Sequence, residues 1–308
     1  MSNTTKIVGA VAVLAAVGYG AYYFMNQKAN DVMVEKVNAY LVKNNLQDKV
    51  KWEKSEASVA GTASFYNVTL VGDNPDETLK IQQLNVTDFN ESEDGGSVAL
   101  NFTGLSDHQG KSLFLGTAAG GVATEEGLES IGYDQSLPLL NGEVKSSYSK
   151  KANDLNNWVK LNQEQVFDVT FDLKALDTNN LVDTLLEKQD QIEDDPGALI
   201  APLTPVKLSK LEIAFEDKGV LAKAKASGGA EEIKLEECQF GLAMMGVSEK
   251  ANDICQSVID FSNGTKKTIA FKANPAQPYP VINLMELGQG GMPDVNKLIE
   301  ELNVTITN

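Results

Sequence analysis

Several separate segments of this chain place an apolar residue at every second position, and no other feature constrains its fold as tightly. In VFDVTFDLKALD, Phe167, Val169, Phe171 and Leu173 fall on one side, while Asp168, Thr170, Asp172 and Lys174 fall on the other. Successive side chains of a strand point to opposite faces, so this pattern gives one dry face and one wet face. ASVAGTASFYNVTLVG alternates in the same way, with Val59, Gly61, Ala63, Phe65, Asn67 and Thr69 opposed to Ala60, Thr62, Ser64, Tyr66, Val68 and Leu70. TLKIQQLNVTDF follows it, with Leu79 and Ile81 in one register and Leu84 and Val86 in another; SVALNFTGLS is next. VKLSKLEIAFEDKG carries Leu208, Leu211, Ile213 and Phe215, with a slip near Lys210, and is the expected companion of the strand at 167–173. EVKSSYS and NNWVKLN flank KKAND and read as a hairpin, with Val144, Ser146 and Tyr148 facing Trp158 and its neighbours. Strands of this kind joined by short polar turns, such as GDNPD at Gly72–Asp76, make an antiparallel meander or a curved sheet.

Helical spacing takes over in between. NNLVDTLLEK predicts a helix, QIEDDPGA an acidic loop, and residues 229–262 two helices joined near Gly246. KKTIAFKANP reads as a strand, a short helix starts near Pro293, and LNVTIT closes the chain as a strand. Residues 118–132 are glycine-rich and then helical, with Thr124 as N-cap and Gly132 as the stop.

At the amino terminus, Ile7–Met25 is a run of nineteen residues without a charge. As a helix it rises roughly 28 Å, close to the ~30 Å hydrocarbon core of a bilayer. A cleaved signal peptide is the rival reading, but the run exceeds the usual apolar core and ends in Tyr22, Tyr23 and Phe24 rather than small residues. Ala12, Ala16 and Gly20 share one face of that helix and suit close packing with another helix, although an alanine- and glycine-rich span also yields such a stripe by chance. The expected fold class is therefore α+β: an N-terminal transmembrane helix followed by a domain of long antiparallel, curved β-sheet with packed helices. Its expected divisions are an anchor at 1–25, a helical stalk at 26–48, a β-rich meander at 49–117 and an α+β periplasmic domain at 118–308.

Charge narrows the partners. The chain has 26 basic residues, all of them lysine, against 43 acidic ones, a net charge of −17. Without arginine there are no bidentate guanidinium clamps on phosphate or guanine, and an acidic surface repels the phosphates that supply nucleic-acid affinity. No nucleic-acid partner is expected. An acidic, arginine-free body is also better placed away from an anionic cytoplasmic leaflet, which puts the bulk of the chain outside the cell membrane.

Chemistry-bearing residues are few. His108 is the sole histidine and sits in a polar SDHQGK loop, with no G-x-S-x-G elbow beside it. Carboxylates abound, but EDDP at 193–196 and the pairs Glu231–Glu232 and Glu236–Glu237 read as solvated faces. No phosphate-binding loop, calcium loop or zinc spacing occurs, so no enzyme, no cofactor and no metal are expected. Cys238 and Cys255 stand on successive predicted helices; they are expected to form a disulfide in an oxidising compartment, the alternative being two buried thiols.

The segment ASVAGTASFYNVTLVGDNPDETLKIQQLNVTDF with SVALNFTGL resembles the strand pattern of bacterial anchored periplasmic proteins, including the AsmA-like group. LESIGYD, VFDVTFDLKALD, LSKLEIAFEDKGVLAKA, KANPAQPYPVINL and LNVTIT resemble an uncharacterised proteobacterial periplasmic domain. The resemblance implies an inner-membrane location with the bulk of the chain periplasmic, and a curved sheet forming an apolar groove. In that setting the seven N-x-[ST] triplets, at Asn3, Asn67, Asn85, Asn90, Asn101, Asn263 and Asn303, are strand and turn residues rather than glycan sites. The resemblance transfers no functional residues. The functional expectation is a single-span, membrane-anchored, non-enzymatic protein that binds an apolar ligand such as lipid on the strands at 58–106. The second expectation is an accessory or scaffold subunit of a cell-envelope complex, paired with a membrane protein or a second copy of itself.

Overall fold

The computed structural model describes residues 41–42, 46–57, 62–72, 74–92, 94–113, 133, 137–187, 196–227, 233–244, 246–248, 250–286 and 295–308. Twelve strands make one antiparallel sheet: β1 (Val50–Lys51), β2 (Lys54–Ala57), β3 (Ala63–Leu70), β4 (Leu79–Ser92), β5 (Gly95–Asp107), β6 (Leu140–Ser149), β7 (Asp154–Gln163), β8 (Phe167–Leu176), β9 (Lys207–Asp217), β10 (Thr268–Ala273), β11 (Tyr279–Pro280) and β12 (Val304–Thr307). Their order is β1-β3-β4-β5-β6-β7-β8-β9-β10-β12, with β2 also on β3 and β11 also on β9. From β3 to β9 every strand pairs with its neighbour in sequence, as expected of half-buried strands joined by short turns. β5 and β6 pair directly, from Gly95 opposite Ser149 to Leu105 opposite Leu140, so strands on both sides of residue 118 belong to one sheet.

The helices among the described residues are α1 (Asn179–Glu187), α2 (Ile200–Leu203), α3 (Val220–Ala226), α4 (Leu235–Met244), α5 (Ala251–Ser262), α6 (Val281–Glu286) and α7 (Val295–Glu301). The expectation of a transmembrane helix heading the fold is corrected here: no helix of the described residues is long and apolar enough to cross a membrane. α5, the longest of them, has 12 residues, which rise about 18 Å against a ~30 Å core. Ile7–Met25, with Ala12, Ala16 and Gly20, lies outside the described residues, as do residues 118–132. Of the expected stalk, Leu41 and Leu46 pack into the sheet's core rather than standing off from it.

Directly opposed residues in an antiparallel pair share a face, so the registers trace an apolar row across the sheet. It runs Ala63, Val86, Leu100, Val144, Val159, Phe171, Ile213, Phe271 and Ile306, one residue from each of nine strands. A parallel row runs Phe65, Leu84, Phe102, Gly142, Leu161, Val169, Phe215 and Ile269. The opposite face is laced by ions. Lys210 pairs with Asp172, and Lys272 stands 3.0 Å from Glu212. Lys174 lies 3.3 Å from Asp154. The charges that alternate with the apolar residues are thus spent on cross-strand pairs facing solvent, each worth a fraction of a kcal/mol.

The expected alternation of β3 fails at one residue. Ala63 and Phe65 are buried, and then Val68 and Leu70 are. Asn67 lies between them with φ +52°, in the left-handed region. The defect crosses three strands: Asn67 stands level with Gln82 of β4, and Gln82 with Gly104 of β5, where φ is +71°. On β4 the buried set correspondingly passes from Leu79 and Ile81 to Leu84 and Val86, so both registers read from that segment are real. Asparagine tolerates the left-handed region, whereas a β-branched residue does not. Asn67→Val is therefore expected to cost about 1–2 kcal/mol and Asn67→Gly little, measured as midpoint shifts in urea at unchanged slope.

The expected hairpin is present at 140–163, and the residues beside Trp158 are the ones that face Val144 and Ser146. Val144 opposes Val159, Ser146 opposes Asn157, and Tyr148 opposes Leu155. Trp158 instead opposes Lys145 on the ionic face, with the lysine ammonium 4.7 Å from its ring centre. The turn carries Asn153 at φ +52°, whose side chain accepts from the Asn179 backbone N–H at 2.8 Å and donates to Asp177.

Candidate functional site

Three packed clusters cover most of the apolar face. The largest lies under β1 and β3–β7, where Ile81, Leu84, Leu100, Phe102, Leu105 and Leu140 have essentially no exposure. Where a groove was expected on the strands at 58–106, the described residues of the apolar face form a packed core. A second cluster gathers Tyr133, Val166, Phe167, Val220 and Phe261 at one end of β8–β10, with Phe215 and Ile269 against it. A third gathers Leu208, Ala273, Leu302 and Val304 at the other end, closed by Val281, Leu284, Leu298 and Ile299 of α6 and α7.

Phe171 and Ile213 face each other at the sixth and seventh places of the nine-strand row and belong to none of the three clusters. Both are only half-buried. Val159 on one side packs on the first cluster, and Phe271 on the other packs on the third. Leu173 and Leu211 bound the strip above, and Val169 and Phe215 below. The result is an apolar strip on β7–β10 hemmed in by packed side chains.

One polar pair interrupts that surface. Ser146 Oγ donates to Asn157 Oδ1 at 2.7 Å, and both residues share the face of Val144 and Val159, two positions along their strands. Asn157 in turn opposes Leu173, at the rim of the strip. An apolar floor with a single hydrogen-bonding pair at its edge suits a ligand with a long apolar part and one polar group.

The strip's lower end is tied by polar contacts. The Tyr133 hydroxyl donates to the backbone oxygen of Gln165, while the Lys223 ammonium lies 3.8 Å from the centre of its ring. Burial, and then the nearby Asp217 charge, push the Tyr133 hydroxyl up to about 12, so it remains a donor throughout the physiological range. Gln163, fully buried, donates through Nε2 to Ser112 Oγ, Leu113 O and Pro138 O, all at about hydrogen-bond length.

The residues singled out for chemistry lie elsewhere. Cys238 of α4 and Cys255 of α5 are joined in a disulfide. His108 sits past the end of β5, with Nε2 3.6 Å from Asp76 and Nδ1 buried without a partner. Asp168 is the single buried carboxylate among the described residues; Lys160 and Lys218 each approach it to 3.3 Å, and Asn162 donates to it. Its charge is thus balanced in place on the ionic face. Among the described residues no group of three or more histidine, cysteine, aspartate or glutamate side chains could hold a metal ion.

Phe171 and Ile213 were visible in the sequence as members of apolar strand faces. Periodicity cannot separate a covered position on such a face from an open one, because both carry the same residue types. No curated protein matches the chain by sequence. A family described only as an uncharacterized protein matches residues 159–308, a stretch that carries Val159, Phe171 and Ile213 of the strip and both cysteines.

Proposed function

We propose that this is a non-enzymatic binding protein that holds an apolar chain, of the kind found in a lipid, against the strip on β7–β10. The observation that carries this reading is the position of Phe171 and Ile213, on interior strands within a continuous apolar row yet outside the three clusters packed among the described residues. A half-covered aromatic and a β-branched side chain on interior strands of a sheet leave apolar area that an acyl chain could bury at about 25 cal/mol per Å². The Ser146–Asn157 pair would meet the polar end of such a ligand. The disulfide supports work in an oxidising compartment, such as a periplasm.

The test is fluorescence titration of the full-length, oxidised protein with cis-parinaric acid, alongside native mass spectrometry of the protein as purified. Saturable enhancement is expected, and Phe171→Glu or Ile213→Lys should weaken it at least about tenfold, roughly 1.4 kcal/mol. A single charge placed in an apolar strip costs at least that much. If both variants fold and bind the probe as the wild type does, the strip is not the site.

A further inference from the structure

α4 carries a second apolar surface, made of residues outside the strip. It has 10 residues and none of them is buried. A helix this short is marginal on its own in water. It is held by the Cys238–Cys255 disulfide and by a hydrogen bond from Gln239 Nε2 to Asn252 Oδ1 at 3.2 Å. The following turn is tied to α7: Asn296 Nδ2 donates to Gly246 O at 2.8 Å, and Ser248 N donates to Asn296 Oδ1 at 3.0 Å.

At about 100° per residue, Cys238, Leu242 and Leu235 lie together toward α5. Phe240 and Met244 point the other way and are 69 % and 72 % exposed. Glu236 and Glu237 fall on either side of them on that outer face. Among the described residues, Lys234 pairs with Glu237 there at 3.6 Å between two well-exposed side chains, which screens little. An aromatic and a methionine one turn apart, on a helix pinned covalently in place, are anchors of the type that fill a partner's groove.

We infer that the outer face of α4 docks a basic amphipathic segment of another protein, with Phe240 and Met244 as anchors and Glu236 and Glu237 pairing with flanking lysine or arginine. Charge selects this occupant. A second copy would bring the same glutamates face to face on a chain of net charge −17, and an anionic lipid surface would repel them in the same way. This docking is independent of the ligand reading, since it uses no residue of the strip.

The test uses the full-length, oxidised protein and a fluorescein-labelled peptide of leucine and lysine in helical amphipathic spacing, about 18 residues long so that it can form a helix. A leucine–glutamate peptide of the same spacing is the control. Saturable binding of the lysine peptide alone is expected, weakened at least about tenfold in F240S/M244S, with the preference reversed in E236K/E237K. A benzophenone-bearing lysine peptide on the wild-type protein should cross-link within residues 233–244, which decides the matter even if a variant misfolds. Cross-linking elsewhere, or undiminished binding to folded F240S/M244S, would overturn the proposal. So would a dimer, or flotation with phosphatidylglycerol vesicles, that F240S/M244S abolishes, because either assigns the face to a different occupant.

Discussion

Truncating Phe102 to alanine is expected to lower the stability of the protein by about 3–5 kcal/mol, seen as a shift of the urea midpoint at unchanged slope. Phe102 is one of the largest fully buried side chains and stands mid-sheet on β5, so the space it leaves cannot be filled from solvent. Its ring lies over Gly142 of β6: a Cβ built there would stand 2.4 Å from Cζ of Phe102 and 3.0 Å from the backbone oxygen of Lys160. Glycine at 142 is therefore space made for the phenylalanine. Gly142→Ala alone should cost about 1–3 kcal/mol by overpacking. In the Phe102→Ala background the same substitution should cost much less, because the ring it collides with is gone. A double-mutant cycle that came out additive would show that the two residues do not share this space.

The second large effect concerns the disulfide. Replacing both Cys238 and Cys255 by alanine is expected to cost about 3 kcal/mol, since the bridge closes a sequence separation of 17 residues in the unfolded chain. The loss should be uneven in space. α4 buries none of its own residues, whereas α5 buries Ala251, Cys255 and Phe261. Hydrogen exchange should therefore show residues 235–244 losing protection while β8 and β9 keep theirs. Uniform loss of protection across the sheet would mean that the bridge holds the whole fold rather than one helix. Binding of the lysine peptide should weaken along with α4's protection.

Much of this architecture could be read from the residues, and the failures have specific causes. The alternation at 167–173, its companion at 207–217 and the slip between them are in the structure, where the register shifts between Lys174 and Ala175. The helices at 179–187 and 251–262 and the closing strand at 304–307 are there too. Those elements carry strong periodic patterns over enough residues for one template to win. Asn67 defeated the pattern because one left-handed residue flips every following side chain, and asparagine in a strand gives no sign of its φ. α3 escaped notice because VLAKAKA has too little apolar spacing to announce a helix; its Val220 and Leu221 are drawn in by Phe167 and Phe215.

The strip and the outer face of α4 were hidden for a related reason. Sequence distinguishes apolar from polar, but not covered from open. Phe171 and Leu100 look alike as apolar members of alternating strands, yet one is fully packed and the other is not. Phe240 and Met244 are residue types at home on the buried face of a helix, yet they point outward on the helix that carries Cys238 of the disulfide.

The strand order has a mechanical consequence. β1 and β12 form opposite margins of the sheet, and neighbouring strands between them are mostly consecutive in the chain. A pull directed outward on β12 loads its four paired residues against β10 in succession, from Thr307 to Val304, rather than all at once. Tension applied across the two margins would peel this sheet like a zipper, strand by strand from the outside. The central strands, braced on both sides, would be the last to part.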